Sequence, residues 1–455
     1  MAKKKEKTLE EKLQEALVPE NQWPYMLPEN WCWTKGEYIL KKMESQKPDG
    51  DYFYYIDIDA IDNSCQIVTE PKQIAVCDAP SRASRKLHVG DTIFSLVRPY
   101  LKNIAYIDKS LSNSIASTGF YVCTPKKNIF PKFFYWLMIS PYVVDGLNKY
   151  MKGDNSPSIR GGDIEGFCYP IPPLPEQKRI VHRIESLFAK LDEAKEKIQQ
   201  VLDGAEMRKA AILHKAFTGE LTQNWRKENG ISEDSWNVCA FKDICIRITD
   251  GTHKSPINSI IGDFMYITAK NIKENGIDLS NITYVSKDAH QEIYSRCDVQ
   301  YNDVLYIKDG ATTGIACINT IKEPFSLLSS VAMLRPNSEK MLSGYLCQYL
   351  NSPEGRDSML SNMSGNAITR LTLTKIKQAT IPVCCIKEQK AILKFLNGSL
   401  SELDNVKNIC QTNLQHIFDM KKAILAKAFR GELGTNNPTE DSAINLLKEV
   451  LQDKS

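Results

Sequence analysis

Two sets of polar side chains sit at turn-like places in this chain, and their types suit one kind of chemistry. In the first half, Arg82, Arg85 and Lys86 make the densest basic patch. Arg98, Tyr100, Lys102 and Asn103 follow an apolar run, and Asn155, Ser156, Ser158 and Arg160 form a later polar cluster. In the second half, His253 and Lys254 follow the turn pair Asp250-Gly251, and Lys270 and Asn271 close an apolar run. Lys308, Thr312 and Thr313 surround a Gly-rich turn, and Asn366, Thr369 and Arg370 cluster further on. Arg and Lys pair with guanine, Asn with adenine, and hydroxyls with phosphate or bases, so these residues are candidate DNA contacts. Taken singly, each is better read as a solvated turn residue. Their recurrence at matching places in both halves is what favours DNA.

Catalytic patterns are weaker. Adenine methylation needs an Asn/Asp-Pro-Pro-aromatic loop, and the nearest string, Ile171-Pro172-Pro173-Leu174, lacks both the polar and the aromatic member. Pro48-Asp49 with Glu70-Pro71-Lys72 approaches a metal-dependent nuclease pattern, but it occurs once and puts proline inside the strand. No GxxxxGK[ST] phosphate loop is present, so ATP use by this chain is not expected. His253 has Asp250 and Asp309 nearby in sequence but no nucleophile to activate.

A chain of 455 residues exceeds one ordinary core and implies two or three domains. With 42% hydrophobic and 25% charged residues it has the composition of a soluble globular protein. No apolar run reaches about 18 residues, so no membrane partner is expected, and the lysine-rich start lacks a secretory apolar stretch. Thirteen cysteines without CxxC pairs read as reduced thiols in a cytoplasmic protein. The net charge of +3 neither demands nor excludes nucleic acid, because only its distribution over a face matters.

The elements that must position these residues are announced by a repeat. Residues 209–221 read KAAILHKAFTGEL, and residues 421–433, 212 further on, read KKAILAKAFRGEL. Glu176-Gln177-Lys178 returns as Glu388-Gln389-Lys390 at the same stride. Ile171-Pro172 matches Ile381-Pro382 at a stride of 210, which implies a two-residue indel and aligns Arg160 with Arg370. Trp31 and Trp236 precede similar apolar stretches. The chain is therefore two tandem copies of one plan.

Each copy ends in a long helix with apolar residues at alternating steps of four and three, the seam of a coiled coil. The first seam runs Ile180, Ile184, Leu187, Leu191, Ala194, Ile198, Val201, Ala205, Arg208 and Ile212. The second runs Ile392, Leu396, Ser399, Leu403, Val406, Cys410, Asn413, Ile417, Met420 and Ile424. Gly219 and Gly431 stand where a helix end needs a left-handed residue. Two like seams in one chain are expected to pair with each other, antiparallel, rather than each with another protein. Ahead of each seam, β-rich stretches such as DYFYYIDIDAID, DTIFSLVRPY, FMYITAKNI and DVLYIKDGATTGIACI read as strands. PKFFYWLMISPYVVDGLNKYM reads as a helical hairpin or a helix kinked at Pro141. The tail SAINLLKEVL is an amphipathic helix expected to pack on the N-terminal helix near residues 8–17.

The motifs LPENW at 27–31, ITDGTH at 248–253, YITAKNIK at 266–273, NDVLYIKDGATTG at 302–314, and the paired IP…EQK…KAF-x-GEL segments resemble the specificity subunit of type I restriction–modification enzymes. The resemblance covers nearly the whole chain. It implies an α+β protein with a pseudo-twofold tandem repeat, two globular target recognition domains held apart by an antiparallel pair of long coiled-coil helices. On that basis 1–18 is a basic tail and short helix, and 19–175 and 223–387 are the recognition domains. Residues 176–222 and 388–434 are the spacer helices, and 435–455 is a tail with a short helix. Each recognition domain would read one half of a bipartite site in double-stranded DNA. Two modification (methyltransferase) subunits would dock on the spacer, and restriction (translocase/nuclease) subunits would join them. S-adenosylmethionine, ATP and Mg are then expected on the partner subunits, with no catalysis in this chain. A coiled-coil adaptor with protein-binding heads explains the repeat equally well but not the motifs inside the heads.

Overall fold

Two helices dominate the chain, Leu174–Phe217 and Ile386–Ala428. Each starts directly after a proline-bearing strand, and Pro175 is accommodated in the first turn, where its missing N–H has no helical partner to lose. The computed structural model describes residues 7–360 and 371–452. They fall into two compact units, Met1–Lys197 with Asn413–Ser455, and Ile198–Thr412. The boundaries cut both long helices near their middles, so each unit holds half of each helix.

Within both units the helix halves run antiparallel. In the first, Ile180 and Ile184 share an apolar cluster with Leu425, Ala428 and Phe429. Further along, Lys421 bonds Asp192 at 2.5 Å and lies 4.9 Å from the Phe188 ring. In the second unit, Leu213, Ala216 and Phe217 share a cluster with Ile392 and Leu396, and Lys407 pairs with Glu206.

The stripe departs from the heptad prediction in places. Ile180, Ile184, Ala205, Ile392, Leu396, Cys410 and Ile417 are buried, and Leu187, Leu191, Ile198, Leu403 and Val406 are half-buried. Val201 and Met420, expected in the seam, are 47% and 53% exposed. The last turns bury Leu213 and Leu425, one residue beyond the half-buried Ile212 and Ile424. A helix of 3.6 residues per turn drifts about 20° per heptad from a 3.5-residue stripe, and these last turns follow a globular core instead of a wound partner.

The two heads share a core topology. Strand Cys32–Lys35 pairs antiparallel with Cys168–Ile171, setting Trp33 opposite Pro170. Strand Asn237–Ala240 pairs likewise with Thr380–Val383, setting Val238 opposite Pro382. Pro170 therefore corresponds to Pro382 at the stride of 212 already seen for Glu176 and Glu388. The Ile-Pro match at 210 is a coincidence of neighbouring prolines. No indel separates the blocks here, and Arg160 corresponds to Thr372, not to Arg370.

In the first head, strands are ordered Lys72–Ala75, Tyr52–Ile56, Ile115–Ser117, Ala83–Lys86 in one sheet and Phe120–Cys123, Thr92–Ser95, Ile104–Tyr106 in the other. In the second they are Thr283–Val285, Phe264–Ile267, Ser326–Leu327 and Cys245–Asp250, Val331–Pro336, Val304–Ile307, Ala316–Ile318. Tyr52–Ile56 runs parallel to Ile115–Ser117, as Phe264–Ile267 does to Ser326–Leu327. The helical hairpin expected in the first head is Pro131–Met138 with Pro141–Asn148, and Ser343–Asn351 with Pro353–Leu360 is its counterpart in the second; each is broken at a buried serine followed by proline. The N-terminal helix, Leu9–Ala16, is capped by Thr8 and packs through Leu13 and Ala16 into the cluster holding Leu446, Leu447 and Val450 of Ala443–Gln452.

The repeated Glu-Gln pair closes each unit. Glu176 accepts the Trp31 indole N–H at 2.8 Å, and Glu388 accepts that of Trp236 at 3.1 Å. Gln177 accepts from the Phe130 amide and donates to the Pro172 carbonyl; Gln389 does the same with Leu342 and Cys384. The remaining carboxylate bonds come from the segment after the other copy's helix. Asn436 Nδ2 donates to Glu176 at 2.9 Å, whereas Thr222 and Arg226 both donate to Glu388 at 2.6 Å. Gly431 and Gly219 turn these segments at φ +76° and +82°. A Cβ on Gly431 would lie 2.3 Å from Pro28 Cγ, and one on Gly219 would lie 3.3 Å from the Trp236 ring. The KAF-x-GEL phrase occurs twice because each copy caps the start of the other.

The two carboxylates differ in charge balance. Glu388 has a guanidinium partner, while Glu176 has neutral donors at hydrogen-bond distance, so burial raises its pKa above 4.5. A carboxyl whose folded pKa is raised contributes stability below its unfolded pKa and loses it as pH rises through the folded value. Glu176→Gln keeps the shape and removes the charge. Its stability relative to the parent should therefore improve between pH 4 and pH 8, read as the difference in denaturant midpoints; a pH-independent difference would refute this.

Candidate nucleic-acid interface

The two heads carry the same turn, built from different residues. In the second head it spans Gly310 to Gly314, with φ +105° and +104° at its ends. In the first it spans Arg98 to Lys102, with φ +48° and +56°. The Leu101 amide bonds the Arg98 carbonyl as the Thr313 amide bonds that of Gly310, at 2.9 and 3.1 Å. Ser95 N donates to Asn103 O as Ile307 N donates to Ile315 O. Tyr100 and Thr312 thus occupy one position, and both are exposed. Non-glycine residues in left-handed backbone cost about 1–3 kcal/mol each, and such strain gathers at functional sites.

Arg98 ties this turn to the later cluster. Its amide donates to Pro157 O at 2.8 Å and its NH2 to Asn155 O at 2.9 Å, while Val97 bridges Ser158. Arg98, Tyr100 and Lys102 are therefore brought together with exposed Asn155 and Ser156 and half-buried Ser158. Lys102 is half-buried, and burial lowers its pKa, helped by the nearby charge of Lys422. Exposed Arg82 lines an open pocket of about 470 Å³ with Asp57, Asp59, Asn63 and Asn103. Asn103 is itself 6% exposed, and its backbone carbonyl accepts from the Ser95 amide. Arg85 is half-buried in a strand, Lys86 bonds Glu44 at 2.6 Å, and exposed Arg160 opens the helix Gly161–Gly166. The nuclease-like residues do not converge on a metal cradle: Lys72 engages Asp59, and Asp49 lines a pocket with Lys86 and His88.

In the second head the motif residues converge on the segment 327–330. Thr252 N donates to Leu327 O, Ser329 N to Thr252 O, Leu328 N to Ile267 O, and Lys308 N to Ser330 O, all within 2.8–3.0 Å. Gly251 permits this: a Cβ there would lie 1.7 Å from the Leu327 carbonyl oxygen. One short segment thereby sets the ITDGTH, YITAKNIK and KDGATTG stretches side by side. His253, Lys254 and Lys270 are exposed at its rim, and Thr313 is half-buried, with its hydroxyl bonded to Gly310 O at 2.6 Å.

Two expected contacts prove internal. Lys308 is 2% exposed, its ammonium 3.4 Å from Asp250 and 3.0 Å from Asp309. It stands where the first head has Leu96, after a strand buried on both faces. Asn271 is buried, accepting from the Thr268 amide at 3.0 Å and donating to Asp278 O at 3.1 Å. Asn366, Thr369 and Arg370 lie outside the described residues. Sequence reasoning missed Arg296, whose NH2 reaches Asp250 at 2.8 Å and His253 at 2.9 Å. It also missed Ile257, Ile260 and Ile261, which are highly exposed on the loop after Lys254.

These features define a chain with two related heads, each presenting exposed polar side chains around a shared turn. The family model described as the type I restriction modification DNA specificity domain matches it twice, over residues 33–203 and 233–413. The chain belongs to that family. It is 24% identical over 346 residues to the type I restriction enzyme EcoBI specificity subunit of Escherichia coli, covering 71% of this chain and 72% of that protein. It is 29% identical over 206 residues to the Escherichia coli EcoDI specificity subunit, covering 45% of each. A solved chain from a study of complex assembly and conformational transition in the type I restriction–modification system superposes with a TM-score of 0.75. That chain is 25% identical, and the match covers 90% of this chain and all of the other. The HsdS subunit of Thermoanaerobacter tengcongensis shares the fold, with a TM-score of 0.56, 24% identity, and coverage of 90% and 100%.

Lys102 at φ +56° gives a direct test of stored strain. Lys102→Gly should raise stability by up to about 1 kcal/mol in thermal melts, because relief of the left-handed backbone strain exceeds glycine's larger entropy loss on folding. The same change should weaken DNA binding at low salt. Reduced stability would show that the turn is not strained.

Proposed function

We propose that this chain addresses a type I restriction–modification complex to DNA without catalysing a reaction itself. Each head reads one half of a bipartite site, and the long helices set the half-site spacing and dock two modification subunits. Half-sites about 34 Å apart, one helical turn, present the same groove face to both heads. Tandem reading modules on one chain gain affinity because the second contact is effectively intramolecular. The observation that carries this reading is the shared turn, with Tyr100 and Thr312 at one position and exposed Arg98 or His253, Lys254 and Lys270 around it.

A further observation supports docking on the helices. Val201, Met207, Phe395 and Ile409 of the second unit, and Phe418 and Met420 of the first, are 47–70% exposed on the two long helices. Apolar side chains outside the internal stripe suit a protein partner. S-adenosylmethionine would reside on the modification subunits, and ATP and Mg on restriction subunits. No helix among the described residues is long and apolar enough to cross a membrane, in keeping with a cytoplasmic setting.

Methylome sequencing of the host with the gene deleted and restored tests the proposal: one split adenine-methylated motif should vanish and return. Unchanged methylation would overturn it. Met207→Glu with Ile409→Glu should leave the chain folded but weaken its association with the modification subunit by at least tenfold, read by titration of the two proteins.

A further inference from the structure

We propose that Arg296 reads a guanine for the second head, with Asp250 as the positioning residue that aims it and His253 as its neighbour on the base-facing edge. This rests on the addressing role proposed above.

Arg296 ends the helix Lys287–Arg296, more than forty residues from the ITDGTH motif it joins in space. Its NH2 donates to Asp250 Oδ1 at 2.8 Å and its Nε faces the Asp250 carbonyl at 3.4 Å. Asp250 is almost wholly buried beside the equally buried Lys308, whose ammonium lies 3.4 Å from Oδ2 and 3.0 Å from Asp309 and is thus shared between two carboxylates. Arg296 supplies the second cation of this set, and the carboxylate grips one edge of its guanidinium. The Arg296 side chain remains 48% exposed. An exposed arginine normally loses rotamer freedom on binding, and holding it beforehand removes much of that cost.

The outward edge has a definite hydrogen-bond character. Guanidinium has no acceptor, so in the neutral imidazole the 2.9 Å contact from Arg296 NH2 makes His253 Nε2, which also lies 3.4 Å from Asp250 Oδ1, the acceptor and puts the ring proton on Nδ1. Arg296 NH1 has no hydrogen-bond partner among the described residues. The free groups of the pair are thus two hydrogens on NH1 and one on the ring, all donors with no acceptor among them, and the next residue in sequence, Lys254, is exposed. In the major groove, adenine offers a donor and an acceptor, cytosine a donor, and thymine an acceptor beside a methyl group. Only guanine presents two adjacent acceptors, O6 and N7. A phosphate would also accept these bonds, but it would carry no sequence information.

The test uses this chain assembled with its modification subunits, on duplexes of the target found by methylome mapping. Each guanine is replaced singly by 7-deazaguanine, which lacks the N7 acceptor. For the unaltered complex, at least one guanine of the half-site read by the second head should prove sensitive, with affinity falling about 10-fold or more. Arg296→Lys, which keeps the charge and can still pair with Asp250, should bind the natural target about 10- to 100-fold more weakly and no longer distinguish that guanine from its analogue. Other sensitive positions should keep their effects, which verifies that the variant is folded. The assignment is overturned if Arg296→Lys retains every sensitivity, or if both half-sites lack guanine. It is equally overturned if the variant loses affinity for target and random DNA alike with a shallower salt dependence, the mark of a phosphate contact. Absence of any sequence-specific binding by the unaltered complex would overturn the addressing role and this assignment together.

Discussion

Everything in the chain's layout depends on a buried carboxylate at the foot of each long helix. Glu176 and Glu388 are fully buried, and each must find donors there. The tryptophan N–H supplies one, from the residue just before the first strand of the same copy. The others come from the segment that follows the second copy's helix in one case and the first copy's helix in the other. A buried acceptor without donors costs about 1–3 kcal/mol or more, so neither foot is complete until both copies are present. This need explains the antiparallel helix halves inside each unit. It also explains why glycine follows each Lys-Ala-Phe: the chain must turn through a left-handed residue and pass close to proline or indole.

The heads show how one scaffold carries different readers. The turn from residue 98 to 102 and that from 310 to 314 share two hydrogen bonds and positive φ at both ends, yet one uses arginine and lysine where the other uses glycine. Backbone geometry is kept while side-chain chemistry changes, as expected if the turn positions contacts whose identity differs between half-sites. Around the second turn, charge is layered. A buried lysine–aspartate pair lies beneath half-exposed arginine and histidine, so the outer cation is ordered without being hidden. Polar groups fixed from below in this way recognise a partner at lower entropic cost than free side chains would.

Much of this architecture was legible from residue patterns. The doubled phrase, the apolar stripes, both C-terminal glycines, the main strands and the Ser-Pro break all follow from local chemistry that tertiary contacts reinforce. Register was less secure. Tyr169-Pro170-Ile171-Pro172 offers two prolines for one match, and only the pairing of Trp33 with Pro170 selects the right one. Individual contacts were least legible. A lysine beside a Gly-rich turn looks exposed, yet Lys308 follows a strand covered on both faces. Arg296 looks like an ordinary cation at a helix C-terminus, with no local sign that it meets a motif far away in sequence.

By itself, the sequence determined that there are two copies of one plan, where the long helices run, and which family motifs the heads carry. These depend on periodicity and on short runs of neighbours, which a linear string records. The tertiary structure alone decided which copy completes which foot, where the buried stripe leaves its heptad, and which polar residues face outward. Those outcomes turn on desolvation and hydrogen-bond partners drawn from segments hundreds of residues apart, and no local pattern encodes the distance between them.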